Sequence, residues 1–386
     1  MATIKKPKRI LMITPFFSPN IGGVEKHLDD LCSYLSQKGH QITVLTYQPL
    51  TSPTKASSFQ KTNNLSIYRF NWPGYQLFHR LQKYPTFQFL YITPYLFFRS
   101  FVFLLFRPQK FDLIHAHGLN ASFIAMLLKN IFKIPFVAST YAIYNFKKKS
   151  LFSRLSLLAL SSAQKVLALA QPSTRELIRI GLNKQKITTY FLWIDKRLYK
   201  KTNRNQARQQ LKLANKFTAI FVGRLIASKG IAIIKKLIKT FPDINFIVIG
   251  DHSQFEPDME QIAVNHQNLH LYCGSISIKK LSLYYSSANL LLMPSLHPEA
   301  FGKVAIEALA CGTPVLASNR GALSCILSKS VSVVVNPTFS NFKQQLNFLR
   351  HHPSKLRNMS QKAPAYVQQN FSPHQAKVIE QAYYFN

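Results

Sequence analysis

Residues 297–318 read HPEAFGKVAIEALACGTPVLAS, with Glu299 and Glu307 eight positions apart. The 386-residue chain carries 14 Asp and Glu against 49 Lys and Arg, and from Gln261 onward its only acids are Glu299, Glu307 and Glu380. Two carboxylates bracketing a helix start are conspicuous against that background. NLLLMPS reads as a buried strand, SLHPEA as the loop leaving its carboxyl end, and FGKVAIEALA as a helix ended by Gly312 with Pro314 beyond. The first turn of such a helix offers the backbone N–H groups of Phe301, Gly302 and Lys303, which together with the helix dipole favour a phosphate. Gly302 admits close backbone approach, and Lys303 adds charge. The two glutamates are separated by roughly 10 Å along the helix axis, and the Glu307 side chain leans back toward the N-terminus. A diphosphate at the helix start would then have a carboxylate on each side to accept hydrogen bonds from hydroxylated rings, which describes a nucleotide sugar. Taken alone, the same pair also reads as a helix-start glutamate plus an exposed one.

Other residues carry compatible chemistry. Arg224 leaves the apolar run FTAIFVGR at its carboxyl end, and Lys229 opens the next segment. Two cations there can stabilise charge on a departing diphosphate without a metal. Gly22 and Gly23 lie between an apolar run and a helical pattern, so backbone can approach a diphosphate or an acceptor, although a plain turn fits them equally well. His117 ends LIHAH. His115 shares its strand face, yet no acid or cysteine is near enough in the pattern to complete a metal site, so none is expected. No Asp-x-Asp pair of metal-ligand type follows a strand. Glu256, Asp258 and Glu260 read as a solvated helix start.

The elements that must position these residues alternate short apolar runs with amphipathic segments. RILMIT, a Gly-Gly loop, EKHLDDLCSYLSQKG and HQITVLT give strand, loop, helix and strand, and FDLIHAHG, IPFVAST and AQKVLALA continue the series. The grammar restarts at FTAIFVGR and runs through INFIVIGD, LHLYCG, NLLLMPS, TPVLAS and VSVVV. This predicts an α/β fold of two doubly wound, Rossmann-like domains with parallel sheets, separated by the basic stretch from Lys196 to about Lys216. Two such domains facing one another would form a cleft at the carboxyl ends of both sheets, where ligands bind.

Composition supports packed cores, with 47% hydrophobic residues, and the net charge of +35 implies an anionic partner. Nucleic acid is disfavoured, because recognition motifs are missing and the basic residues spread through both halves. MATIKKPKRILMITPFF reads as a first buried strand rather than a secretion signal. The apolar stretch from Tyr84 is interrupted by Gln88, Thr93, Pro94 and Arg99, and is open to three readings: a core helix pair, a membrane-surface element, or a span. Cys32, Cys273, Cys311 and Cys325 show no metal-like pairing and read as reduced thiols of a cytosolic protein.

Four segments together resemble a known family. HPEAFGKVAIEALACGTPV resembles the E-x7-E signature of retaining nucleotide-sugar glycosyltransferases of family 4, which have the two-Rossmann GT-B fold. TPFFSPNIGGVEKHLDDLCSYLSQKGH resembles the family's glycine loop and first helix, FDLIHAHG its D-x-I-H-x-H-G segment, and VGRLIASKG its second-domain phosphate motif. The resemblance implies that Glu299 binds donor-sugar hydroxyls and Glu307 the ribose, and that Phe301, Gly302 and Lys303 contribute to the phosphate and sugar site. It also implies that Arg224 and Lys229 grip the diphosphate, and that His117 lies near the reacting sugar carbon. The expected activity is metal-independent, retaining transfer of a hexose to a hydroxyl of a lipid-linked or cell-envelope glycan, with a nucleotide diphosphate sugar as donor and no cofactor. An epimerase or hydrolase of the same fold is the nearest rival. The expected division is 1–195 for an acceptor domain and 196–370 for a donor domain, with 371–386 a C-terminal helix packing back on the first. The chain is expected to work in the cytoplasm, peripherally at the inner face of an anionic membrane. It departs from the family at FLWID, where Pro-Asn-Gly is usual, and at TYAIYNFKKKS, where a His-Gly pair is usual.

Overall fold

The structure, a computed structural model, describes residues 6–20, 22–50, 54–73, 77–81, 84–107, 110–147, 150–250, 258–274 and 276–385. It divides into two units, Met1–Tyr190 with Ala376–Asn386, and Phe191–Gln375. The division falls ahead of the polar stretch because FLWID packs with the second unit. Phe191 lies 6.2 Å from Phe301 and 5.7 Å from Phe371, and the Ile194 N–H donates to the Phe371 carbonyl.

The first unit is built on β1 (Arg9–Ile13), β2 (Gln41–Tyr47), β3 (Phe59–Thr62), β4 (Leu65–Phe70), β5 (Leu113–His117), β6 (Phe136–Thr140), β7 (Lys165–Leu169) and β8 (Ile187–Tyr190). The sheet order is β3-β4-β2-β1-β5-β6-β7-β8. Every pairing is parallel except β3 with β4. β5 and β6 are buried along their whole length, as inner strands covered on both faces must be. From β1 the chain runs outward to β2 and later returns to β5 on the other side of β1. The carboxyl ends of β1 and β5 therefore flank a topological switch point.

The apolar stretch from Tyr84 is one continuous helix, Pro85–Phe106, rather than a pair. Ile92, Leu96, Ser100 and Leu104 recur every fourth residue on its buried side. Pro94 sits on the exposed side, where the carbonyl it strands can meet water. The segment Thr86–Phe106 is, by length and composition alone, long and apolar enough to cross a membrane. Residues after Ala376 complete this unit. Glu380 accepts from the Tyr34 hydroxyl at 2.9 Å and lies 3.2 Å from His40, and the Tyr383 hydroxyl lies 2.8 Å from His115 Nδ1.

The second unit holds β9 (Thr218–Val222), β10 (Asn245–Gly250), β11 (Leu269–Cys273), β12 (Leu290–Met293), β13 (Val315–Ser318) and β14 (Ser332–Val335). They form a wholly parallel sheet in the order β11-β10-β9-β12-β13-β14. The helix Ile231–Thr240 presses Ile234, Leu237 and Ile238 into a core with Phe246, Val248 and Leu292. Here the switch point falls between β9 and β12. Cys32, Cys273, Cys311 and Cys325 are free thiols.

Candidate active site

The loops leaving β9 and β12 bring two of the expected donor residues of the second unit, Lys229 and Glu299, together. After β9 the chain turns at Gly223, exposes Arg224, buries Leu225 and makes a short 3-10 turn over Ala227–Lys229. Gly230 then adopts a left-handed conformation, φ 75°, and opens the helix Ile231–Thr240. A Cβ there would lie 2.1 Å from the Pro294 carbonyl oxygen, so the two loops meet backbone to backbone only because this residue is glycine. The Leu296 N–H donates to the Ser228 carbonyl at 2.9 Å and knits them further.

That juncture puts Lys229 Nζ 2.6 Å from Glu299 Oε1, and the Ser295 hydroxyl donates to the same oxygen. The Glu299 side chain is mostly buried and that of Lys229 about a quarter exposed, so this pair is shielded more than a surface ion pair. The Glu299 backbone is fixed as well. Its carbonyl accepts from the Ala322 N–H at 2.7 Å, and it forms a parallel bridge with Gly321.

The helix carrying Glu307 spans Lys303–Ala310, two residues shorter at its start than the sequence suggests. Gly302 precedes it at φ 89°, a left-handed position, and Phe301 is buried against Phe371 at 5.9 Å. The Phe301 side chain is therefore part of the core, and helix-start N–H groups begin at Lys303. Glu307 is buried, and both its oxygens are claimed: Tyr199 donates to Oε1 at 2.9 Å and Tyr285 to Oε2 at 3.0 Å. Burial first, and the Glu307 charge second, push the Tyr285 phenol well up, so it stays a donor.

In the first unit, Gly22 and Gly23 start the helix Gly23–Gln37 after β1. Gly22 is extended, φ 179°, a conformation open to any residue. A Cβ at Gly22 would touch the tip of Glu25, whereas Gly23 has open space where a Cβ would be. His117 ends β5 across the same switch point. It is buried, its Nδ1 lies 2.6 Å from the Tyr141 hydroxyl, and its Nε2 has no hydrogen-bond partner. Burial pulls its pKa down to about 3, so the ring is neutral. His115, with its ring centroid 3.9 Å away, is held between Tyr383 and Ser139 and is lowered by burial and then by His117 and His27. The loop bearing Tyr141 is anchored by the buried Glu176, which accepts from the N–H groups of Tyr144 and Phe146.

The structure thus joins Lys229 with Glu299 directly, while Arg224, Lys303 and Glu307 stand on neighbouring segments of the same unit. Sequence reasoning did not find Ser295, Tyr199, Tyr285 or Tyr141. The first lies in the loop already singled out, but the tyrosines reach their partners from 108, 22 and 24 residues away and leave no local pattern. Asp258 pairs with Lys235 at 2.6 Å, and Glu256 lies outside the described residues. Among the described residues no three His, Cys, Asp or Glu side chains group as metal ligands.

Residues 21–219 match the family model described as Glycosyltransferase Family 4, and residues 203–366 match Glycosyl transferases group 1. The phosphatidylinositol N-acetylglucosaminyltransferase GPI3 subunit of Saccharomyces cerevisiae is 24% identical over 340 residues, covering 85% of this chain and 72% of that protein. Sucrose-phosphate synthase of Thermosynechococcus elongatus superposes with a TM-score of 0.78 at 20% identity, over 97% of this chain and 98% of the other. HepE of Anabaena in complex with UDP-glucose gives 0.74 at 18% identity, over 97% and 98%. At these identities the structures speak to the fold, two Rossmann-like α/β domains of the GT-B kind.

Proposed function

The chain belongs to glycosyltransferase family 4, and we propose that it is a retaining, metal-independent enzyme moving a hexose from a nucleotide diphosphate sugar to a hydroxyl of a lipid-linked or cell-envelope glycan. The observation that carries this reading is the Lys229–Glu299 pair, with Ser295 on the same oxygen, at the switch point between β9 and β12. A diphosphate arriving there takes over the Lys229 ammonium, and Arg224 adds a second cation. Glu299, released from Lys229, then turns its acceptor oxygen to the sugar hydroxyls. Each of these exchanges one charge-assisted hydrogen bond for another and needs no backbone movement. Glu307, already oriented by two phenols, keeps lone pairs for ribose hydroxyls. His117 is neutral, so its Nε2 offers the first unit a polar contact that brings no charge of its own. Gly23 leaves open space at the start of its helix where a side chain would stand.

The bound UDP-glucose of the Anabaena neighbour supports a nucleotide-sugar donor. The name of the yeast relative, a transferase acting on a phosphatidylinositol, supports a lipid-linked acceptor. The same reading places the protein in the cytoplasm, peripherally on an anionic membrane, which suits its charge of +35.

The test is thermal unfolding with UDP-glucose, UDP-N-acetylglucosamine and GDP-mannose, followed by transfer assays with whichever donor stabilises the protein. A donor at 100 times its Kd should stabilise the folded state by about 2.7 kcal/mol. Glu299→Gln should fold normally and lose transfer. A chain that no nucleotide sugar stabilises, or a Glu299→Gln variant that transfers at the wild-type rate, would overturn the assignment.

A further inference from the structure

We infer that the helices Pro85–Phe106 and Leu151–Ser161 form one docking face of the first unit, and that its occupant is the surface of an anionic bilayer. The inference rests on the membrane placement proposed above and names the surface that would carry it. Right-handed crossovers from β4 to β5, β5 to β6 and β6 to β7 all advance in one direction along the sheet. They put the helices Pro85–Phe106, Leu119–Phe132 and Leu151–Ser161 on one face, and the middle helix packs against both others.

The outer sides of the flanking helices are apolar. On the longer one, Phe87, Leu90, Phe98 and Leu105 are exposed along a helical stripe that also includes Pro94. On the shorter one, Leu151, Leu155 and Leu158 make a second stripe, with Leu151 72% exposed. The sequence draws attention only to the first stripe. LFSRLSLLALS reads as an ordinary amphipathic helix until its inward side is seen to be occupied by Ser153, Ser156, Ala159 and Leu160. Its leucines therefore point out because small residues were placed inside. Single exposed leucines are common on soluble proteins, but two apolar stripes on helices that flank a shared third on one face of the sheet mark a docking surface.

Charge selects the occupant. Between Asp30 and Glu176 the chain has a single acid, Asp112, so none of the three helices carries a carboxylate. Arg99, Arg107, Lys110, Lys147 and Arg154 are exposed in or beside the patch. The run at Lys147 continues with Lys148 and Lys149, which lie outside the described residues. Apolar stripes edged by cations, with Phe rings at the boundary, match the headgroup and acyl layers of an anionic leaflet. The geometry also fixes the mode of contact. The stripe Ile92, Leu96, Ser100 and Leu104 is buried in the unit, and the Ile92 carbonyl accepts from the Tyr47 hydroxyl at 2.6 Å. The helix Pro85–Phe106 can therefore lie on a bilayer while docked to its own domain, but cannot cross one without leaving it.

The experiment is co-sedimentation of the full chain with phosphatidylcholine vesicles, with and without phosphatidylglycerol. Wild type should bind the anionic vesicles and release in high salt. Phe98→Glu and Leu155→Glu should each lower the partition coefficient by roughly tenfold or more. Val264→Glu, at an exposed apolar position of the second unit, should change nothing. Arg154→Glu, on an exposed side chain that the fold does not need, supplies the same test should the apolar variants fail to fold. Wild-type binding that survives Phe98→Glu, Leu155→Glu and Arg154→Glu alike overturns this face and leaves the membrane placement standing. No binding by wild type overturns both. A concentration-dependent dimer that these substitutions disperse, with vesicle binding unchanged, assigns the face to a second copy and overturns the inference. Stabilisation by nucleotide sugar should be the same in every folded variant, which separates this test from that of the transferase reading.

Discussion

Losing the Glu307 carboxylate and losing the phenols that hold it should leave different marks. Glu307→Gln removes a charged acceptor, worth roughly 1.5–3 kcal/mol, and should weaken nucleotide binding by about ten- to a hundredfold. Tyr199→Phe leaves the charge in place, removes one donor to it, and should act only through the orientation of Glu307, with a smaller loss of affinity than Glu307→Gln. Titration calorimetry with the nucleotide alone distinguishes the two, and equal affinity of Glu307→Gln and wild type would remove Glu307 from the site. The neutral histidines give a second prediction. His117 is lowered from 6.5 to about 3, and His115 is lowered too. As pH falls below about 6.5 the unfolded chain protonates first, so the stability His117 contributes is complete above 6.5 and is lost toward 3, and His115 acts in the same direction. The slope from His117 should be about 1.4 kcal/mol per pH unit. Urea unfolding as a function of pH should be flatter in this window for a His115→Gln/His117→Gln variant, and an unchanged slope would contradict the burial argument. The two glutamates were legible because acids are rare here and their spacing brackets a helix start. The tyrosine partners of Glu307 were not, because a contact over 108 residues exists only once the folded unit has brought the two segments together.

Among elements, the loop joints decide whether the site forms. Gly230→Ala forces a left-handed backbone onto a residue with a Cβ, costing about 1–3 kcal/mol, and drives that atom into the Pro294 carbonyl. We expect a lower Tm together with weaker nucleotide-sugar binding, since the displaced turn carries Lys229. A variant of normal stability and affinity would show that the two loops move independently. Most of the parallel strands were readable as short apolar runs because burial on both faces removes polar alternation. The antiparallel strand Phe59–Thr62 was not, because all four of its residues are exposed and FQKT carries no apolar period. Nor were the parallel strands Leu65–Phe70 and Ile187–Tyr190, whose half-buried LSIYRF and ITTY mix polar residues into the run. The early helix start expected at Phe301 failed for a related reason. Phe301 satisfies an apolar position in the pattern, but it does so by packing on Phe191 and Phe371 before the helix begins.

At the scale of the molecule, 49 Lys and Arg against 14 Asp and Glu leave an excess of cationic side chains, which in the proposed reaction would meet the departing diphosphate in place of a metal. Turnover should therefore persist in excess chelator, and activity that disappears with EDTA and returns with magnesium or manganese would refute this. The fold class was legible across the whole chain, since the strand and helix grammar runs twice. The unit boundary was not, because Phe191–Ile194 carries an apolar signal that suits either half until its aromatic neighbours are known. The return of Ala376–Asn386 to the first unit has a consequence for biosynthesis. A ribosome adding roughly 5–20 residues per second releases the eighth strand about ten to forty seconds before Tyr383 is made. During that interval His115 lacks the hydroxyl that meets its Nδ1, and Tyr34 and His40 lack Glu380. The second unit, contiguous from Phe191 to Gln375, waits for nothing synthesised after it. The half of the protein that leaves the ribosome first is the half that completes its contacts last.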